Sequence, residues 1–85
     1  MSWHVLVDDD CKKEFRRIPK NDRERITTVI ESFVFDPYAG DIEKMKGDTD
    51  TWRRRVGSYR IFYEVRVAKR TVYVFDIRRR SSNTY

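Results

Sequence analysis

Eighty-five residues confine the chain to one small domain, 1–85, with a real but limited core. Apolar residues make up 39% of it and twelve are aromatic, which excludes a disordered chain, and no apolar run approaches the ~20 residues of a membrane-spanning helix. The net charge of +5 is lopsided: residues 1–43 hold seven basic and ten acidic side chains, a net of −3, and residues 44–85 hold twelve and four, a net of +8.

The C-terminal half therefore carries the electrostatic footprint. It calls for an acidic partner: nucleic acid, an anionic surface or an acidic protein. A single cysteine, Cys11, excludes an intramolecular disulfide and reads as a small buried hydrophobe. The lone His4 has no companion metal ligands, so no metal or other cofactor is expected. The start MSWHVLVDDD has neither a basic n-region nor a long apolar h-region, which leads to the expectation of a cytoplasmic protein without a signal peptide.

Trp3–Val7 is short and β-prone, and reads as a first strand. Asp8 or Asp9 then caps a helix running to about Arg17, with Cys11, Phe15 and Ile18 on one apolar stripe and Pro19 as its breaker. Asn21 and Glu24 have the spacing of a capping box, and Ile26, Val29, Ile30, Phe33 and Val34 follow helical periodicity up to Asp36-Pro37. Tyr38–Thr51 reads as a loop, with a brief extended piece at Lys44–Gly47.

Three strands follow. Trp52–Val56 leads through a Gly57-Ser58 turn into Tyr59–Val67, which places Ile61, Tyr63, Val65 and Val67 on one face. After a turn at Ala68–Arg70, Thr71–Arg78 sends Val72 and Val74 one way and Tyr73, Phe75 and Ile77 the other, as a central strand covered on both sides would. The expected fold is α+β, in the order β-α-α-β-β-β. Its antiparallel sheet carries an N-terminal helical hairpin on one face. Residues 81–85 read as a polar tail.

The stretch WRRRVGSYRIFYEV holds the chemistry. Strand alternation puts Arg53 and Arg55 on one face and Arg54 on the other, where Glu64, Asp76 or a helical acid is its expected partner. Arg60 opens the next strand after a tight turn, and Arg78, Arg79 and Arg80 close the last one. A curved sheet brings Arg53, Arg55, Arg60 and one of the last three toward one concavity. Guanidinium forks bind phosphate oxygens bidentately, and Tyr59 and Tyr85 offer rings for unpaired bases. Three explanations stay open on these grounds: nucleic-acid binding, an acidic protein partner, or solubility alone. No Walker loop, zinc spacing, Ser/His/Asp set or carboxylate pair is present. If the chain is an enzyme, its chemistry runs on basic residues and a tyrosine. Cleavage of RNA by its own 2′-hydroxyl is such a reaction.

These segments together resemble the RelE side of the RelE/ParE toxin superfamily. The resemblance runs from Trp3 to Tyr85, through the helix KKEFRRIP, the second helix ending in DP, EKMKG, WRRRVGSYRIFYEV and the strand ending DIRRR with a tyrosine beyond it. It implies a compact RelE-like fold and the toxin of a type II toxin–antitoxin pair. RelE-type members are ribosome-dependent endoribonucleases (mRNA interferases), and ParE-like members inhibit DNA gyrase; a non-catalytic nucleic-acid-binding member is a third option on the same fold. The resemblance further implies a cognate antitoxin, and the ribosome and mRNA as partners. It assigns catalytic roles to Arg53, Arg55, Arg60, Arg80 and Tyr85, with Lys44, Lys46, Arg78 and Arg79 as further RNA contacts. Two departures stand out. The best-known ribosome-dependent members carry lysines where this chain has Arg53 and Arg55, so these two orient phosphate and stabilise charge rather than accept a proton. A glycine common before the last basic pair is here Arg78.

Overall fold

The computed structural model describes residues 2–47 and 50–80. Strand β1 (His4–Val7) leads into helix α1 (Asp9–Phe15) and helix α2 (Lys20–Ser32). Strands β2 (Ile42–Lys44), β3 (Thr51–Val56), β4 (Tyr59–Arg66) and β5 (Thr71–Arg79) complete the chain.

Asp8 caps α1 by accepting the Asp10 N–H at 3.1 Å, and Asp9 and Asp10 sit where the helix dipole favours acids. The Asn21–Glu24 capping box is not used. Pro19 occupies the cap with φ −54°, a value proline holds by itself, so α2 starts at Lys20 and Asn21 falls inside it. The helix also stops at Ser32, four residues short of Asp36. The link to Pro37 closes as turns, with the Asp36 carboxylate accepting the Tyr38 N–H at 2.9 Å.

The sheet has five strands in the order β1-β5-β4-β3-β2. The last three strands form the expected antiparallel meander, and Gly57, at φ 57°, makes the two-residue β3–β4 turn feasible. Two features correct the sequence reading. β1 joins the edge of β5 in parallel, so the sheet is mixed rather than antiparallel, and Ile42–Lys44 adds a strand on the far edge where a loop was expected. β4 ends at Arg66. Val67, placed in the core by its alternation, enters a short 3₁₀ turn and is 57% exposed.

β4 alternates buried and open positions along its whole length, so one face of the sheet is the core face. Ile18, Ile26 and Phe33 of the helical layer pack there onto Ile61, Tyr63, Val65, Val72 and Val74. The Phe33 and Tyr63 rings lie 4.3 Å apart, and the Tyr63 hydroxyl donates to the Pro37 carbonyl at 2.6 Å. This bond ties the loop after α2 to the middle of the sheet.

β5 contains a bulge. Phe62 pairs with Asp76 and Tyr63 with Val74, so Phe75 is the extra residue. Its effect is to invert the alternation beyond it. Ile77 turns into the core beside Val74 instead of sharing a face with Tyr73 and Phe75. Those two rings stay on the opposite, outer face. That face is not covered as expected: Phe75 is 40% exposed.

Candidate functional site

The outer face carries Arg53, Arg55, Arg60 and Arg78. Across β3, β4 and β5 the register aligns Arg55 with Arg60 and Arg60 with Arg78, giving three guanidinium-bearing positions side by side. The neighbouring row on the same face is Glu43, Arg53, Phe62 and Asp76. Arg80 follows β5, and its backbone N–H bonds to the Ser58 carbonyl at 2.6 Å, which holds it against the β3–β4 turn next to Arg60.

Acids restrain three of these arginines. Arg53 pairs with Glu43, Arg55 approaches Asp41 at 3.9 Å, and the Arg78 Nε donates to Asp76 at 2.5 Å. Arg60 has no acidic partner among the described residues, yet faces an arginine on each side. Like charges directly opposite one another in a sheet destabilise it. An anion bound over the row removes that repulsion and gains bidentate hydrogen bonds. The row is thus matched to phosphate.

Arg54 lies on the core face, as alternation requires, but not with the expected partners. Glu64 and Asp76 are on the other side, bound to Arg66 and Arg78. The Arg54 guanidinium instead packs against Gly40, where an added Cβ would come within 2.5 Å of it, and its Nε is buried with no hydrogen-bond partner among the described residues. Gly40, at φ 91°, precedes Asp41 and β2, so this contact seats the segment that brings Asp41 and Glu43 to the arginines.

Several sequence-selected residues do not join the row. Lys44 pairs with Trp52 and lies 6.0 Å from its ring on the core side of β2 and β3. Lys46 follows β2 at the end away from Arg55. Arg79 pairs with Tyr59, on the face opposite Arg78. Tyr59 is 7% exposed within the core and offers no stacking surface. Tyr85 lies outside the described residues. Sequence reasoning missed Asp41 and Glu43. The signal is in the sequence, because their spacing matches that of Arg53 and Arg55, but it pairs them only when the strand starts at Ile42 rather than at Lys44.

No cluster of His, Cys, Asp and Glu among the described residues is placed to hold a metal ion, and no described helix is long and apolar enough to cross a membrane. Cys11 is buried, and burial, with Asp76 and Asp8 nearby, pushes its thiol from 9.0 up to about 11. It is neutral at pH 7 and is no nucleophile. A raised folded-state pKa means the thiol's contribution to stability is intact below pH 9.0 and is lost as pH rises toward about 11. Urea midpoints should therefore fall more steeply across that window for the native chain than for Cys11→Ala.

The family model of the ParE toxin of type II toxin–antitoxin systems, parDE, matches residues 1–84. The chain belongs to this family. Within the wider RelE/ParE superfamily it is similar to the RelE1 toxin of Methanocaldococcus jannaschii, with 25% identity over 83 residues that cover 94% of this chain and 92% of that one. The archaeal RelE–RelB complex from Pyrococcus horikoshii OT3 shares its fold, with a TM-score of 0.85 and 22% identity, over 98% of this chain and 100% of the other. The RelB–RelE antitoxin–toxin complex from Methanococcus jannaschii matches at 29% identity and a TM-score of 0.75, over 88% of this chain and 90% of that one. The two-helix, five-stranded mixed sheet is thus the RelE-type α+β fold, and the ParE-family chain is a type II toxin–antitoxin toxin.

Proposed function

We propose that this toxin is a ribosome-dependent mRNA endoribonuclease whose phosphate-binding site is the row Arg55–Arg60–Arg78, flanked by Arg53 and Arg80. The observation that carries the reading is Arg60, which has no acidic partner among the described residues and faces two other arginines across the sheet. In the reaction, the 2′-hydroxyl loses its proton and attacks the adjacent phosphorus. A 2′,3′-cyclic phosphate forms, and the 5′-oxygen leaves with a proton. The chain's task is alignment and charge: guanidiniums fix the two non-bridging oxygens and meet the extra negative charge that develops on the phosphorane. Arginine does not give up its proton at neutral pH, so proton transfer falls to other groups, with Tyr85 the proposed candidate.

A domain this small gains substrate placement from the ribosome rather than from its own sequence readout. An antitoxin is the second proposed partner. RelE is seen with RelB in the two archaeal complexes, and an acidic segment laid on the outer face would neutralise the same arginines and add stability by mass action.

The match to the ParE family model favours a second reading, inhibition of DNA gyrase. Expression in a test strain separates the two. The ribonuclease reading requires protein synthesis to stop within minutes while plasmid supercoiling stays normal. Loss of supercoiling and DNA damage, with intact messages, would select gyrase.

A further inference from the structure

We propose that Phe62, Tyr73 and Phe75 form a stacking platform for the unpaired bases beside the phosphate held on the arginine row, an inference that rests on the endoribonuclease reading for where that phosphate lies.

The β5 bulge sets what stands beside the platform, because it brings Asp76 and Arg78 onto the face of the rings. Without it, Phe75 would continue a regular alternation and Ile77 would share its face; with it, Ile77 is buried while Tyr73 and Phe75 remain outside. The Tyr73 and Phe75 rings are stacked, 6.5 Å apart with 24° between their planes, and Phe75 lies 6.4 Å from Phe62. Phe62 is two residues along β4 from Arg60, on the same face, so the rings begin about 7 Å from the row's centre. That is the reach of one nucleotide from its phosphate to its base.

The charges around the rings choose the occupant. The Arg78 guanidinium lies 5.7 Å from the Phe62 ring and the Arg66 guanidinium 4.9 Å from the Tyr73 ring. Cations cover the two ends of the platform and leave Phe75, its most open ring, between them. A planar, electron-rich base joined to an anionic backbone satisfies both parts at once: ring against ring, phosphate against guanidinium. Tyr73 is also fixed in orientation, since its hydroxyl donates to the Asp8 carboxylate at 2.8 Å. The platform is therefore held before any ligand arrives.

The test uses the full chain and a short single-stranded RNA, 2′-O-methylated throughout so that it cannot be cut, with 2-aminopurine at one position at a time. The platform requires quenching at one or two adjacent positions. Phe75→Leu and Phe62→Leu should each abolish it and weaken binding about tenfold, in line with the loss of one base stack. The slope of log affinity against log salt should not change, because no phosphate contact is lost. As a control free of folding effects, the native chain should itself bind an abasic version of the RNA about tenfold more weakly. Equal affinity for intact and abasic RNA would overturn the platform. So would salt-dependent binding without quenching, which would leave this face to an apolar partner chain. Cleavage is scored separately on ribosomes: quenching without cleavage supports the platform and removes the ribonuclease reading, and cleavage without quenching does the reverse.

Discussion

Arg60→Ala should abolish toxicity and leave the fold untouched. Arg60 is partly exposed, makes no ion pair among the described residues, and faces Arg55 and Arg78 directly across the sheet. Its removal takes away two repulsive pairs and no attractive one, so stability should hold within ~0.5 kcal/mol or rise slightly. The cost falls on the transition state. Removing one preorganised donor from a developing oxyanion costs about 10²–10³ in rate, and the central member of the row is the donor with no substitute in place. Cleavage rate and thermal unfolding measured on the same preparation check both halves. A variant that keeps full activity places the chemistry elsewhere. A variant that unfolds shows that Arg60 has a structural role instead.

Phe33→Ala should have the largest effect on stability. Phe33 is 1% exposed, closes the end of α2, and packs against Tyr63 at the middle of the sheet. Truncating a buried phenylalanine costs about 3–5 kcal/mol through lost transfer energy and the cavity left behind. A domain of this size has only about 5–10 kcal/mol in total, and each kcal/mol moves Tm by roughly 4–8 °C, so a fall of ~20 °C or more is expected. A drop of less than ~8 °C would mean that the two layers are not locked at this ring pair. The site should suffer indirectly, because the Tyr63–Pro37 bond beside Phe33 anchors the loop that leads to Gly40, Asp41 and β2.

The two kinds of residue in these predictions differ in how well the sequence announced them. Phe33 followed from helical spacing, and the Arg55–Arg60 pairing from a two-residue turn between two alternating strands; both are local patterns. The parallel docking of β1 on β5 joins residues almost seventy positions apart and leaves no trace in either strand's own pattern. The bulge at Phe75 is invisible for a related reason. Nothing in TVYVFDIRR marks an extra residue, and only the pairing partner on β4 shows that Phe62 faces Asp76 while Tyr63 faces Val74. That one residue decides that Ile77 is core and that Asp76 and Arg78 share the outer face with Tyr73, Phe75 and Arg60. The separation of Arg78 from Arg79 did follow from alternation. Grouping Arg78 with Arg79 as RNA contacts sets that alternation aside.

Asp41 and Glu43, just before and within β2, escape a reading that starts the extended piece at Lys44 instead of Ile42. They change the electrostatic picture, since Arg53 and Arg55 are already engaged by Glu43 and Asp41 before any ligand binds. The +8 of the C-terminal half is therefore not a uniform field. Within the row, Arg60 has no acidic partner among the described residues while Arg55 and Arg78 do, which makes it, rather than the more conspicuous arginine run, the centre of the proposed site.

The central claim is tested most directly by primer extension on a message undergoing translation in a purified system, with native protein, with Arg60→Ala, and with ribosomes omitted. The account predicts new 5′ ends within ribosome-positioned codons for the native protein, and none in the other two reactions. An intact message with the native protein, or cuts that persist undiminished with Arg60→Ala, would contradict it.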